Sequence, residues 1–288
     1  MMRLGIQTDT LDKTTYGRFG EDTYKKLAQH GYAASDFNMS VTESPLYSMP
    51  FGEAEAILLK EKALAKEAGI VIQQVHGPWR WPARDFSVED RRERMEKMKY
   101  SIRLTSVLGC KNWVVHPIMP LGVEEAGTPD AEKTWEMNVA FMRELLETAK
   151  AYDITICLEN MPMLDFSLAK PEKILELVKL MDDRHFQVCL DTGHVSVFDD
   201  LDLAEETRRL GKYIRVMHVH DNNQNRDLHL WPMFGRIDWP SFAAALKDIG
   251  YDGVFSLETL PGAKLPDGLF EEAGVTLSGI AHLITAEI

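Results

Sequence analysis

Across 288 residues the chain carries three cysteines, no unbroken run of 18 or more apolar residues, no glycine-rich dinucleotide fingerprint and no surplus of positive charge. Each shortage closes a class of function. Cys110, Cys157 and Cys189 stand alone, each in or beside a segment predicted to be a strand. Isolated thiols of that kind suit buried free cysteines and exclude both a disulfide framework and a thiolate zinc site. Without a long apolar run there is no candidate for a membrane-spanning helix. The residues before the first predicted strand, near Leu4, show neither a basic leader nor an apolar signal core, so a cytoplasmic location is the expectation. A net charge of −13 argues against a surface built to hold polyanions, and no nucleic-acid partner is expected. The densest basic cluster, Arg84, Arg91, Arg92, Arg94, Lys97 and Lys99, is interleaved with Glu89, Asp90, Glu93 and Glu96. That is the pattern of a solvated helix face laced with i,i+3 and i,i+4 pairs.

What the chain has in quantity is alternation. Strand-like and helix-like segments follow one another eight times, with strands predicted to start near Leu4, Ala33, Val71, Asn112, Ile154, Gln187, Ile214 and Val254. Amphipathic helical segments lie between them, as at Glu53 to Ala68, Val88 to Leu108, Lys133 to Ala151, Pro171 to Met181 and Trp239 to Ile249. Eight such units in a chain of this length predict one (β/α)8 TIM barrel spanning residues 1–288. The turns from helix to strand are short and carry a helix-ending glycine, as at Gly31, Gly69, Gly109, Gly211 and Gly250. The segments from strand to helix are long and rich in Pro, Trp, Asn and His, which places the active site at the C-terminal end of the strands. The competing architecture, an open doubly wound sheet, calls for a glycine-rich first turn where this chain has Gln7-Thr8-Asp9-Thr10.

Five of the nine histidines, His76, His116, His194, His218 and His220, follow short apolar, β-branched runs, and Glu159, Asp191 and Glu258 occupy similar ends. Parallel strands would bring those ends into one small volume. Carboxylates with one imidazole make a hard, oxygen-rich site for a divalent cation, Mn²⁺ first, with Mg²⁺, Co²⁺ or Zn²⁺ also satisfied. Glu159, Asp191, His218 and Glu258 would supply it. A lone acid at a strand end is often only a helix N-cap. Four on consecutive strands are harder to explain that way, because buried carboxylates without a cation repel one another. His76, His116, His194, Asp227 and His229 are expected to bind substrate oxygens or a further ion, and His220 to orient neighbours. Arg236 could meet an anionic substrate group or an internal acid. Trp79, Trp81 and Trp231 lie in the same loops and suit either loop packing or an apolar wall against a sugar's C–H face.

The ordered set Leu158-Glu159-Asn160, Leu190-Asp191-Thr192-Gly193-His194, the segment from His218 to Trp239, and Glu258 resembles the xylose isomerase-like TIM-barrel superfamily. That group holds sugar isomerases and epimerases together with endonuclease IV. The resemblance implies metal ligation by Glu159, Asp191, His218 and Glu258, with the two glutamates also acting as acid and base and His194 touching substrate. It further implies a reaction on a small sugar or sugar phosphate: the cation holds adjacent carbonyl and hydroxyl oxygens, the neighbouring C–H is acidified, and an enediolate forms. Dimers and tetramers are common in this group, so a homo-oligomer is compatible with the resemblance. His76, His116, Glu159, Asp191, His194, His218, Asp227, His229 and Glu258 also match the nine ligands of endonuclease IV's trinuclear zinc site, so a phosphodiesterase stays open. So do a dehydratase of polyols or hydroxy acids on the same scaffold and a barrel that binds ligands without turnover.

Overall fold

The short apolar runs become strands β1 (Arg3–Thr8), β2 (Ala34–Asn38), β3 (Val71–His76), β4 (Asn112–Val115), β5 (Thr155–Glu159), β6 (Phe186–Asp191), β7 (Ile214–His218) and β8 (Val254–Leu257). They are seen in a computed structural model that describes residues 2–79, 81–83, 85–223, 226–286 and 288. The strands are parallel and ordered β7-β6-β5-β4-β3-β2-β1-β8. The ring closes where Val219 N donates to Ser256 O at 2.8 Å and Glu258 N donates to Val219 O at 3.0 Å. Helices α1 (Thr23–Gln29), α2 (Phe51–Glu67), α3 (Val88–Leu108), α4 (Asp130–Ala151), α5 (Pro171–Met181), α6 (Thr192–Ser196), α7 (Leu203–Leu210), α8 (Trp239–Asp248) and α9 (Asp267–Thr285) connect them. The fold is the predicted (β/α)8 barrel.

Local chemistry sets the helix ends. Ser87 and Asp90 form a reciprocal capping box at the start of α3, and the helix stops at Gly109, whose φ of 76° a side chain would strain. Pro171 opens α5 in the first-turn position that needs no N–H donor. Aliphatic and aromatic side chains fill the space between ring and helices, where Trp113 is fully buried and donates from Nε1 to Ser101 Oγ at 3.0 Å.

Inside the ring, Val114, Cys157, Cys189 and Val216 form a second, small apolar cluster. The cysteines are free and buried, as their isolation predicts. Side chains on a strand repeat their direction every two residues, so the residues two places on, His116, Glu159, Asp191 and His218, stand directly above this plug. Two register shifts tune the aim. One falls on β3 between Ile72 and Gln74, opposite Ser35/Asp36, and the other on β7 between Ile214 and Val216. Bulges of this kind re-aim the side chains that follow them, here those of His76 and His218.

One placement differs from the sequence expectation. Arg94 does not lie on a solvated face of α3: it is buried, paired with Asp85 and reaching His116 O at 3.4 Å. Asp85 also accepts from Met119 N at 2.9 Å, so the pair ties the loop after β3 to the loop after β4. A mid-helix arginine in a charged stretch gives no sign of this, because its partner lies in a loop. Arg84 falls outside the described residues. Among the described residues no helix is long and apolar enough to cross a membrane.

Removing one member of a buried ion pair leaves the other's charge uncompensated and away from solvent, and one backbone donor, Met119 N, does not neutralise Asp85. Arg94→Ala is therefore expected to cost roughly 3–5 kcal/mol of stability. Urea unfolding would show this as a lowered midpoint; a midpoint matching the parent's would contradict it.

Candidate functional site

Each strand sends one polar residue to the mouth of the barrel: Gln7, Asn38, His76, His116, Glu159, Asp191, His218 and Glu258, in strand order. For Glu159, Asp191, His218 and Glu258, one ligand-capable atom of each lies within 4.8 Å of the others. All four are buried. His218 Nδ1 is 3.0 Å from Glu159 Oε1 and 3.3 Å from Glu258 Oε2. Asp191 also caps α6, accepting from His194 N at 2.6 Å, so the capping and the converging readings of that acid both hold.

His194 stands in the single turn of α6 rather than in a loop. Its Nδ1 donates to Asn160 O at 2.7 Å, His229 Nδ1 donates to Glu258 O at 2.7 Å, and His76 Nδ1 donates to Gly77 O at 2.8 Å. A backbone carbonyl thus fixes one nitrogen of each ring and turns Nε2 toward the acids. Ligating imidazoles are oriented in this way. Further groups of convergent donors among the described residues include His76, His116 and Glu159, and His194, His220, Asp227 and His229. His220 Nε2 lies 3.1 Å from the Asp191 carboxylate, and its ring stacks on His229 with centroids 4.1 Å apart. The turn at Gly193 makes room for it, since a Cβ there would stand 1.9 Å from His220 Cε1.

Charge balance in this cluster is carried by the imidazoles. Burial alone would raise the Glu159 carboxyl, but His218 and His116 hold it well below the ordinary carboxylate range. Burial opposes ionisation of Asp191 too, and His194 and His220 overcome it. Burial disfavours a charged His218, yet Glu258, Glu159 and Asp36 keep its pKa well above the usual value. Against the same penalty, Asp191, Asp227 and Glu159 lift His194 to about 10, and Asp227 and Glu258 lift His229 to about 10. His116 goes the other way, pushed by burial to about 4. Glu258 is raised by burial, which His218 and His229 only partly offset. Protons on imidazoles therefore neutralise acids that a divalent cation would neutralise equally well, and the donor set fits such an ion.

Above the cluster opens a cavity of about 900 Å³. Its polar side includes His76, His116, His194, Asp227 and His229; its apolar side includes Trp79, Trp81, Met161 and Met163. Trp79 packs edge-on against His116 with centroids 4.3 Å apart, and Trp81 stacks beside it at 6.1 Å. Trp231 is not on this wall: its Nε1 donates to Leu260 O at 3.0 Å and its ring packs on the core. Arg236 does not reach the cavity either, and the expectation that it contacts substrate is corrected. Its guanidinium is taken by Ser196 O at 2.9 Å and Asp199 at 2.7 Å. The organiser of that loop is Asp221, whose buried carboxylate accepts from Asn222 N, Met233 N, Ile237 N and Trp239 Nε1 at 2.9 to 3.2 Å.

Sequence reasoning missed Gln7, which donates to Glu258 Oε1 at 3.2 Å, and Asn38 and Arg226, which line the cavity. Gln7 is the last residue but one of β1 and Asn38 the last of β2, so a search of the strand ends could have found them. It also missed Asp36, which binds His218 from the middle of β2 and carries no sequence signal.

The family profile described as xylose isomerase-like TIM barrel matches residues 24–283. An uncharacterised protein of Methanocaldococcus jannaschii is 30% identical over 241 residues, covering 81% of this chain and 77% of that one. A D-psicose 3-epimerase of Ruminiclostridium cellulolyticum is 30% identical over 137 residues, which is 47% of this chain and 45% of the epimerase. The crystal structure of a D-tagatose 3-epimerase-like protein superposes with a TM-score of 0.74 at 25% identity, covering 99% of both chains. The extent of the profile match, and the parallel eight-stranded barrel that agrees with it, make this chain a member of the xylose isomerase-like TIM-barrel family.

Proposed function

We propose that the chain is a divalent-metal-dependent epimerase or isomerase of ketoses or related polyols. The observation that carries this reading is the convergence of Glu159, Asp191, His218 and Glu258 within 4.8 Å at the floor of a cavity large enough for a monosaccharide. Sugar epimerases among its relatives support the same class. Glu159, Asp191, His218 and Glu258 would hold the ion, and the mix of carboxylate oxygen with a single imidazole suits Mn²⁺. When bound, a cation there supplies Lewis-acid polarisation that acidifies the C–H beside a sugar carbonyl and stabilises the negative charge that develops.

The chain's own residues do the rest. One of Glu159 and Glu258, as carboxylate, takes the carbon-bound proton, and the other, as the acid, gives a proton of its own to the opposite face. Alternatively, one glutamate carries the abstracted proton to the neighbouring carbon, which exchanges aldose for ketose. His194, Asp227 and His229 meet hydroxyl groups from one side, with His76 and His116 beside Glu159. Trp79 and Trp81 cover the C–H face and keep water from a carbanion-like centre.

A second reading, the trinuclear phosphodiesterase that the resemblance to endonuclease IV leaves open, is supported by the further donor groups around His76, His116, His194, Asp227 and His229. The acidic total charge and the apolar tryptophan wall favour the sugar. Metal analysis separates the two: one ion per chain is expected, and three zincs with nicking of abasic DNA would overturn the sugar reading. Because His218 must lose its proton before Nδ1 can ligate, metal affinity should fall as pH falls, by about tenfold per pH unit for each proton displaced. Calorimetric titrations at several pH values would measure it, and a pH-independent affinity would refute the displacement.

Ketoses incubated with the metal-loaded chain in D₂O should gain deuterium on the carbon next to the carbonyl. Glu159→Gln and Glu258→Gln should each lower turnover by roughly 10²–10⁴-fold, while His220→Ala loses far less. Full turnover in either glutamine variant would contradict the assigned roles.

A further inference from the structure

Asp36 sits in the middle of β2 and is completely buried. Elsewhere inside the ring Val114, Cys157, Cys189 and Val216 make an apolar cluster, whereas Asp36 lies against the buried Gln74. A carboxylate there is expensive to keep unless it is bonded. Asp36 Oδ2 accepts from His218 Nε2 at 2.9 Å and from Gln74 Nε2 at 3.1 Å, while Oδ1 has no partner among the described residues. Gln74 Nε2 also donates to Met217 O at 3.3 Å, which ties the aspartate to the strand that bears His218. In the closed ring β2 is three places from β7, so this bond crosses the barrel interior.

The geometry divides the two nitrogens of His218. Nδ1 faces Glu159 and Glu258; Nε2 faces Asp36. An acceptor at Nε2 requires a proton there, and in the neutral ring this leaves the lone pair on Nδ1. We infer that Asp36 is a positioning residue: it holds the Nε2–H of His218, fixes the ring, and presents Nδ1 to a divalent cation shared with Glu159, Asp191 and Glu258. This rests on the metal reading above. Carboxylate partners of this kind orient ligating histidines and raise their basicity. Such a role explains why an acid is buried at this position.

The test is a double-mutant cycle on the full chain, stripped with chelator and titrated with Mn²⁺ by calorimetry. Asp36→Ala should weaken Mn²⁺ binding by roughly 10–100-fold. Asp36→Asn, which keeps an acceptor for Nε2–H, should weaken it less. In a His218→Ala background the Asp36→Ala change should add no more than about twofold, because the bond has lost its other end. The melting temperature of Asp36→Ala in chelator should fall, because the buried His218 and Gln74 donors lose their acceptor, so the inference is read from Mn²⁺ affinity and not from stability. Equal Mn²⁺ affinity in parent and both Asp36 variants would overturn the inference alone. So would an equal loss with and without His218, since it would mark a merely structural residue. If Asp36→Ala does not fold, the Asn variant carries the same comparison. A parent chain that takes up no ion would sink the metal reading itself and this inference with it.

Discussion

Four carboxylates, those of Asp36, Glu159, Asp191 and Glu258, are buried inside the barrel, and they are held there by imidazoles. In a low-dielectric interior like charges this close repel strongly, so each acid must find a proton, a histidine or a cation. His218 lies against three of the four and His194 and His220 against Asp191. The fold closes around this electrostatic arrangement. An arrangement that depends on protons at His218, His194 and His229 is also one in which a divalent ion can take their place.

The plain and elaborated faces of the barrel divide the labour. Helix-to-strand turns are short and end in glycines such as Gly69 and Gly109, both at positive φ, and they carry stability. Strand-to-helix loops carry the walls of the cavity, and three buried devices stiffen them. The Asp85–Arg94 pair binds the loops after β3 and β4, and Asp221 gathers four donors from the loop after β7. The Gly193 turn lets His220 press on the Asp191 carboxylate. A site assembled from separate strands can keep its geometry only if the loops above it are fixed in this way.

The cavity has two characters. Trp79, Trp81, Met161 and Met163 offer a broad apolar side, and the histidines with Asp227 offer a dense polar one. A sugar has the same two faces, C–H on one side and hydroxyls on the other, and so matches the proposed role of the cavity. The acidic balance of the whole chain agrees with a neutral or weakly charged substrate better than with a polyanion.

The sequence by itself determined the eightfold alternation, the glycine-ended turns and the chemistry at the strand ends. Each depends on nearest neighbours: strand period, helix capping and the residue that follows an apolar run. His76, His116, Glu159, Asp191, His218 and Glu258 were legible for that reason. Partnerships across the barrel were not. Whether Arg236 turns to substrate or to Asp199, whether Trp231 lines the cavity or packs on the core, and whether Arg94 is solvated or buried depend on loops meeting from distant parts of the chain. Asp36 is the clearest case. It lies in a short polar strand with no apolar run before it, and its meaning comes from His218, 182 residues away, brought beside it by closure of the ring and by a bulge on β7. Periodicity says which way a side chain points along its own strand; only the closed barrel decides what it points at.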